Sequence, residues 1–190
     1  MKNIPFLLMA IILFALSCHQ TTEQAKEAAS NDSMKYKIFP NRFLADSNIP
    51  QIAKDLYLEK IKPNDSKEHL GLLEKLGSSE AENGFYFLVI TKAMKHTDGA
   101  YSEALGVATK EYVEQHPMDF FSYFYYNKNL LQERDLKNWA ESVYRGIQIS
   151  SEGTEREAMA ALSKLMKSKC TKHPAYLEEI DRFLALSMSE

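Results

Sequence analysis

The chain has 190 residues, and its 26 acidic residues outnumber its 23 lysines and arginines to give a net charge of −3. Because this charge is small and mixed in sign, it creates no basic field for nucleic acid, and we expect no nucleic-acid partner. Seven glycines and six prolines are too few for a turn-rich β protein, and two cysteines give at most one disulfide.

The N-terminus has the layout of an export signal. A positive charge at Lys2 precedes an apolar run over residues 4–16, and the sequence changes abruptly at Cys18 to a polar stretch. The run is shorter than the roughly 20 residues that a membrane-spanning helix needs, and it has the length of a signal-peptide core. The sequence therefore predicts that residues 1–17 are a signal peptide.

The residues at the end of this run, Ala15, Leu16, Ser17 and Cys18, resemble the lipobox of bacterial lipoproteins. The resemblance implies that Cys18 becomes the first residue and carries acyl chains such as palmitate, which hold the protein on a membrane of the cell envelope. His19 stands where, in the sorting rule of that family, an aspartate would retain the protein in the inner membrane, so the resemblance favours the outer membrane. The alternative is an ordinary signal peptide cut nearby, with Cys18 incidental.

The next segment is predicted to be a tether that ends in a folded domain. Residues 19–35 are polar and bury too little apolar surface to offset the entropy of ordering, so residues 18–40 are interpreted as a lipidated cysteine and a flexible tether. Residues 41–190 are about one domain in length, and we expect a single helical domain there.

Apolar residues recur at helical spacing through this domain. Leu136, Trp139, Val143 and Ile147 follow one another in steps of three and four residues, and no alternating stretch of similar length competes. Thr154 and Glu157 have the form of a capping box at a helix start. The sequence predicts about eight helices, near residues 48–61, 66–76, 79–96, 99–115, 117–132, 135–149, 154–170 and 174–187.

The predicted fold class is all-α, with antiparallel helical hairpins because the loops between helices are short. The stretches "GFYFLV" at 84–89 and "DFFSYF" at 119–124 each open a hairpin, and they lie about 35 residues apart. This period is similar to that of tetratricopeptide-type repeats. The helices are therefore expected to form either a short solenoid of that kind or an irregular bundle.

The aromatic stretch "PMDFFSYFYYNKNLLQ" at 117–132 is the most informative part of the domain. Core packing is the default role of an aromatic stripe, and the apolar residues 85–90 offer a second buried helix for it to pack against. The alternative is that some of these side chains face a partner protein, for which large, rigid rings with a polar tip are suited. Under that alternative we expect Tyr123, Tyr126 and Trp139 to bind the partner.

Cys170 and His173 form the one pair that suggests catalysis. A thiolate beside an imidazole is a possible nucleophile and base, but the base, orienting group and oxyanion donor that it needs are not visible in the sequence. Free cysteine is usually just a buried apolar residue, and this interpretation is favoured. No second cysteine–histidine pair completes a zinc site, so neither metal nor cofactor is predicted.

The function predicted from the sequence is a lipid-anchored, non-catalytic protein-binding module of the bacterial cell envelope. An immunity-type protein that blocks an incoming toxin is one concrete version, since a small, acidic, extracytoplasmic domain fits that role. One alternative is an envelope enzyme that uses Cys170 and His173. Another is a carrier that holds a small ligand between the aromatic helices.

Overall fold

A computed structural model describes residues 34–77, 80–97 and 99–187. The chain divides into two units, Met1–Lys37 and Ile38–Glu190, and only residues 34–37 of the first unit fall within the described ranges. Regular secondary structure in these ranges is entirely helical, and no strand occurs in them. The predicted all-α class is confirmed.

The second unit contains nine α-helices among its described residues. In chain order they are α1 Pro40–Ala45, α2 Gln51–Tyr57, α3 Lys67–Leu73, α4 Glu80–Ala93, α5 Gly99–Gln115, α6 Pro117–Tyr126, α7 Glu133–Ser150, α8 Glu155–Lys169 and α9 Pro174–Ser187, with a 3₁₀ turn Met94–His96 after α4. Each predicted helix has a counterpart. The sequence does not predict α1, because its six residues are too few to show a helical period.

Helix α4 lies at the centre of the core. Residues 85–90 are apolar on every side, and all of them are buried, as expected for a helix that is covered all round. Phe87 stacks on Trp139 of α7, with ring centroids 4.7 Å apart, and also contacts Phe120 and Tyr123 of α6. The two aromatic helices therefore pack against each other, and α7 adds the indole ring.

Helices α5 and α7 make the most extensive helix–helix contact in the bundle. At their crossing Gly106 faces Gly146, and a Cβ atom built on Gly106 would lie 3.0 Å from the backbone nitrogen of Gly146. The hydroxyls of Thr109 and Ser142 form a buried hydrogen bond of 2.9 Å beside this contact. Small residues thus let the two backbones approach closely, which larger side chains at these positions would prevent.

The folded domain begins at Ile38, whose side chain is buried. The backbone N–H of Ile38 donates to the side-chain oxygen of Asn127, at 2.8 Å, and Asn127 directly follows α6. Five residues later, Phe43 of α1 stacks on Phe85 of α4 with ring centroids 5.1 Å apart. Two contacts therefore hold the start of the domain in place, a hydrogen bond and an aromatic stack.

Candidate functional site

The predicted lipidation site, Cys18, lies outside the described residues. Its acylation therefore stays a prediction, together with the signal peptide over residues 1–17. Within the described ranges, no helix has both the length and the apolar character needed to cross a membrane.

Trp139, one of the three residues predicted to bind a partner, is fully buried in α7. Its indole N–H donates to the hydroxyl of Thr91, at 2.8 Å, and that hydroxyl donates to the carbonyl of Phe87 at 2.7 Å. Both polar groups are satisfied inside the core, as a buried indole requires. Trp139 presents no surface to a partner in this structure, and its evident role is packing.

Tyr123 and Tyr126, the other two predicted residues, lie on α6 at different depths. Tyr123 is only 5% exposed, and its ring centroid is 5.0 Å from that of Phe87, so it belongs to the core. Tyr126 is half-buried at the end of the helix. Of the three residues, only Tyr126 reaches the surface, and partner binding by it remains a prediction.

The most exposed aromatic side chain on α6 is Tyr125, at 43%. Its ring lies perpendicular to that of Tyr126 at a centroid distance of 5.0 Å, and 5.7 Å from the ring of Tyr176 on α9. The ammonium of Lys128 lies 5.3 Å from the Tyr125 centroid, which is a cation–π distance. Spacing does not single out Tyr125, because it follows the buried Phe121 by one helical turn and shares its face.

Helix α6, which carries Tyr125, ends earlier than predicted. The sequence predicts a helix over residues 117–132, but α6 ends at Tyr126. The side-chain amide of the next residue, Asn127, donates to the carbonyl of Tyr123 at 2.9 Å while its oxygen accepts from Ile38. Asparagine side chains compete in this way with the backbone hydrogen bonds of a helix, and α6 ends just before Asn127.

A cleft of about 280 Å³ opens beside Tyr125, between the end of α6, the start of α7 and α9. We call it the Tyr125 cleft. Phe124, Leu131 and Leu136 contribute its apolar lining, and Lys128 lies at its edge. The cleft therefore combines an exposed tyrosine, an apolar lining and a cation, which is the composition of a small protein-recognition site.

Charges at the far side of the Tyr125 cleft come from α7 and α9. The guanidinium of Arg182 pairs with Glu133 at 2.7 Å and with Glu179 at 3.4 Å. Arg182 and Glu133 are exposed and Glu179 is half-buried, so the pairs add little stability and the arginine is free to exchange one carboxylate for another. Lys128 differs, because none of the carboxylates in the described residues forms an ion pair with it.

The Cys170–His173 pair does not have the features of a reactive site. Cys170 is buried at the end of α8, and the loss of solvent around it raises the pKa of the thiol to about 11. The imidazole of His173 stacks on the ring of Tyr176, with centroids 5.0 Å apart. A thiol in this environment carries little of the thiolate that nucleophilic attack requires.

A carrier would need a pocket for its ligand, and a metal site would need several ligand side chains close together. Between α4 and α6 the rings of Phe87, Phe120 and Tyr123 are in contact. A hollow of about 690 Å³ lies between α7, α8 and α9. Within the described ranges, no three histidine, cysteine, aspartate or glutamate side chains are arranged to hold a metal ion.

Comparison of the chain with protein-family models, with curated proteins and with solved structures finds no match. No catalytic family is therefore indicated by likeness. The Tyr125 cleft is one surface of the described residues where aromatic, apolar and charged groups meet.

Proposed function

We propose that this chain is a lipid-anchored, non-catalytic protein-binding module of the bacterial cell envelope, and that the Tyr125 cleft is where it binds its partner. An immunity-type protein that blocks a toxin is one form such a module takes. The single observation that carries the proposal is Tyr125, a tyrosine exposed at the edge of an aromatic core and placed beside a cleft.

The geometry around Tyr125 suits binding because the ring is already held in place. It contacts the ring of Tyr126 on one side and that of Tyr176 on another, and α6 carries it on a packed helix. A side chain that is fixed before binding loses little rotamer entropy on association. Tyrosine and arginine are also the residue types that dominate interface energies, and Arg182 lines the same cleft.

The charges of the cleft favour a partner segment that carries a carboxylate. Lys128 has no ion pair with a carboxylate of the described residues, and its ammonium sits over the face of Tyr125. A carboxylate from a partner would complete this arrangement, and Arg182 offers a second cation across the cleft. Such complementary charges mainly improve the rate and the specificity of association.

The test is recovery of partners from an envelope extract by the full chain and by two single variants. Tyr125→Ala removes the exposed ring, whereas Ile149→Ala removes a side chain of similar exposure, 48%, that does not line the cleft. We expect a partner that binds the wild type and the Ile149 variant equally and binds Tyr125→Ala about thirtyfold more weakly, the effect of losing a hot-spot residue.

Lys128→Ala provides a second measurement, the rate at which the recovered partner associates with the variant. It should slow association and reduce its salt dependence, because a rim charge acts mainly on the encounter. If the Tyr125 variant recovers the same proteins with the same affinity as the Ile149 variant, the cleft is not the binding site.

A further inference from the structure

A second surface of the domain has the form of a groove between α3 and α5. Its volume is about 520 Å³, and it does not share residues with the Tyr125 cleft. Leu70, Leu73 and Leu76 line it from α3 and the turn that follows, and Ala104, Val107 and Ala108 line it from α5. Six apolar side chains thus meet along one open groove.

The face that α5 turns to this groove is separate from the face that it turns to the core. Leu105 and Val113 belong to the core face and are buried, whereas Val107 is 37% exposed. Ala104 and Ala108 lie one helical turn apart and flank Val107. Because alanine is short, this face is shallow enough for a third helix to approach closely, as small residues permit in helix packing.

Acidic groups mark the rim of the groove. Of the residues that the structure describes, Glu74 and Glu111 both line it and no lysine or arginine does. Neither carboxylate forms an ion pair with a cation of the described residues. His116 also lines the groove, and its ring stacks on that of Tyr112 with centroids 5.4 Å apart.

We propose that this groove binds an amphipathic helix of a partner protein, with apolar side chains against Val107 and the leucines and with lysine or arginine opposite Glu74 and Glu111. A groove between two helices accepts a helix through anchors spaced three and four residues apart. Glu74 and Glu111, which form no ion pair with a cation of the described residues, supply the complementary charge, and this charge fixes the direction and register of the bound helix. This site is additional to the Tyr125 cleft and does not depend on it.

The probe for this proposal is a fluorescein-labelled synthetic peptide of about four helical turns, built from leucine and lysine so that the leucines share one face. A control peptide has the same composition with leucine and lysine alternating, so that its helix has no apolar face. Fluorescence anisotropy measures the binding of each peptide to the full chain. We expect the first peptide to bind at least about tenfold more tightly than the control.

Matched variants locate the binding on the protein. Val107→Arg places a cation in the groove, whereas Ile149→Arg places the same side chain on α7 outside the groove. Val107→Arg should abolish binding of the leucine-faced peptide, and Ile149→Arg should leave it unchanged. Glu74→Gln combined with Glu111→Gln should weaken binding about tenfold and flatten its dependence on salt.

Several outcomes would overturn the proposal. Equal binding to the Val107 and Ile149 variants, or equal binding of the two peptides, means non-specific attraction to an acidic protein. If the chain is a dimer in sedimentation and Val107→Arg makes it a monomer, a second copy occupies the groove instead of a partner helix. Tyr125→Ala should leave peptide binding unchanged, so failure here is distinguishable from failure of the Tyr125 cleft.

Discussion

Cys170 illustrates how burial decides the chemistry of a single residue. The interpretation favoured from the sequence, a buried apolar cysteine, agrees with its position at the end of α8. Desolvation is the main cause of the raised pKa, and the positive charge of Lys169 opposes it only in part. The enzyme alternative requires the opposite shift, toward a lowered pKa and a stable thiolate.

We predict that Cys170 reacts slowly with iodoacetamide at about neutral pH. A Cys18→Ser chain leaves it as the one thiol, and its pKa of about 11 against an ordinary 9.0 reduces the reactive thiolate about a hundredfold. Mass spectrometry follows the alkylation of the folded chain, with the urea-unfolded chain as the control. Equally fast alkylation of both would restore Cys170 as a candidate nucleophile.

The same pKa has a consequence for stability. Well below the ordinary pKa of 9.0 the thiol is protonated in both states, so it does not change how the free energy of unfolding depends on pH. As the pH rises from the ordinary pKa of 9.0 toward 11, the unfolded chain loses the proton first, and the folded state becomes less stable. At alkaline pH, Cys170→Ala should remove the decrease in the free energy of unfolding that the thiol causes. Urea titrations at a series of pH values measure this decrease.

The exposure of Tyr125 is a property of a single residue that the sequence does not predict. Periodicity places it on the face of Phe121, and burial of that face is correct for Phe121 but not for Tyr125. Helix α6 ends one residue after Tyr125, and the side chain of Asn127 then bonds to Ile38 across a long stretch of chain. A contact of that range leaves no local pattern in the sequence, so the exposed tyrosine is visible only in the fold.

At the scale of elements, the helices were predictable where their apolar stripes are long. Helix α7, with its spaced residues from Leu136 to Ile147, and helix α5 both lie within a few residues of the predicted bounds. The end of α6 was not predicted, because Leu130 and Leu131 continue the apolar pattern beyond the last helical residue. Helix pairing was not predictable either, since the contact of α5 with α7 depends on glycines that periodicity ignores.

The α5–α7 crossing gives a prediction that a matched pair of glycines can test. A methyl group at Gly146 would overlap the carbonyl oxygen of Gly106 and would lie 2.9 Å from Cβ of Lys110, so the helices would have to separate. We expect Gly146→Ala to lower the free energy of unfolding by about 1–3 kcal/mol, the usual effect of overpacking. Urea denaturation followed by circular dichroism measures the change.

Gly71 in α3 is the control for this substitution. A Cβ atom built there has no other atom within 4 Å, so Gly71→Ala adds helix propensity without a clash. It should raise the free energy of unfolding by about 0.5–1 kcal/mol. If both substitutions have the same sign, the close approach of α5 to α7 is not what limits the size of residue 146.

For the whole molecule, the main untested prediction is that the chain is held by lipid at Cys18. Two or more acyl chains hold a protein stably on a bilayer, since each buried CH₂ contributes about 0.8 kcal/mol. We expect Cys18→Ser to move the protein from the membrane fraction to the soluble fraction and to abolish labelling by a radioactive fatty acid. Cell fractionation with immunoblotting measures the first effect, and autoradiography the second.

The second cysteine of the chain supplies the control. Cys170→Ser alters a thiol of the folded domain, so this variant should remain labelled and in the membrane fraction. An unlabelled wild type, or a Cys18→Ser chain that stays with the membrane, would contradict the predicted anchor. Either result would leave the Tyr125 cleft as a candidate site, because its geometry does not involve Cys18.

The bond between Ile38 and Asn127 would carry force if the predicted anchor at Cys18 holds the protein on a membrane. Any tension transmitted along the chain from that anchor enters the folded domain at Ile38, where the backbone is fixed to the residue that ends α6. Such a force would act on α6, next to Tyr125, through Asn127 and on α4 through the stacked rings of Phe43 and Phe85. A partner that pulls against the predicted anchor at Cys18 would therefore exert force on α6, the helix that carries the tyrosine we propose it binds.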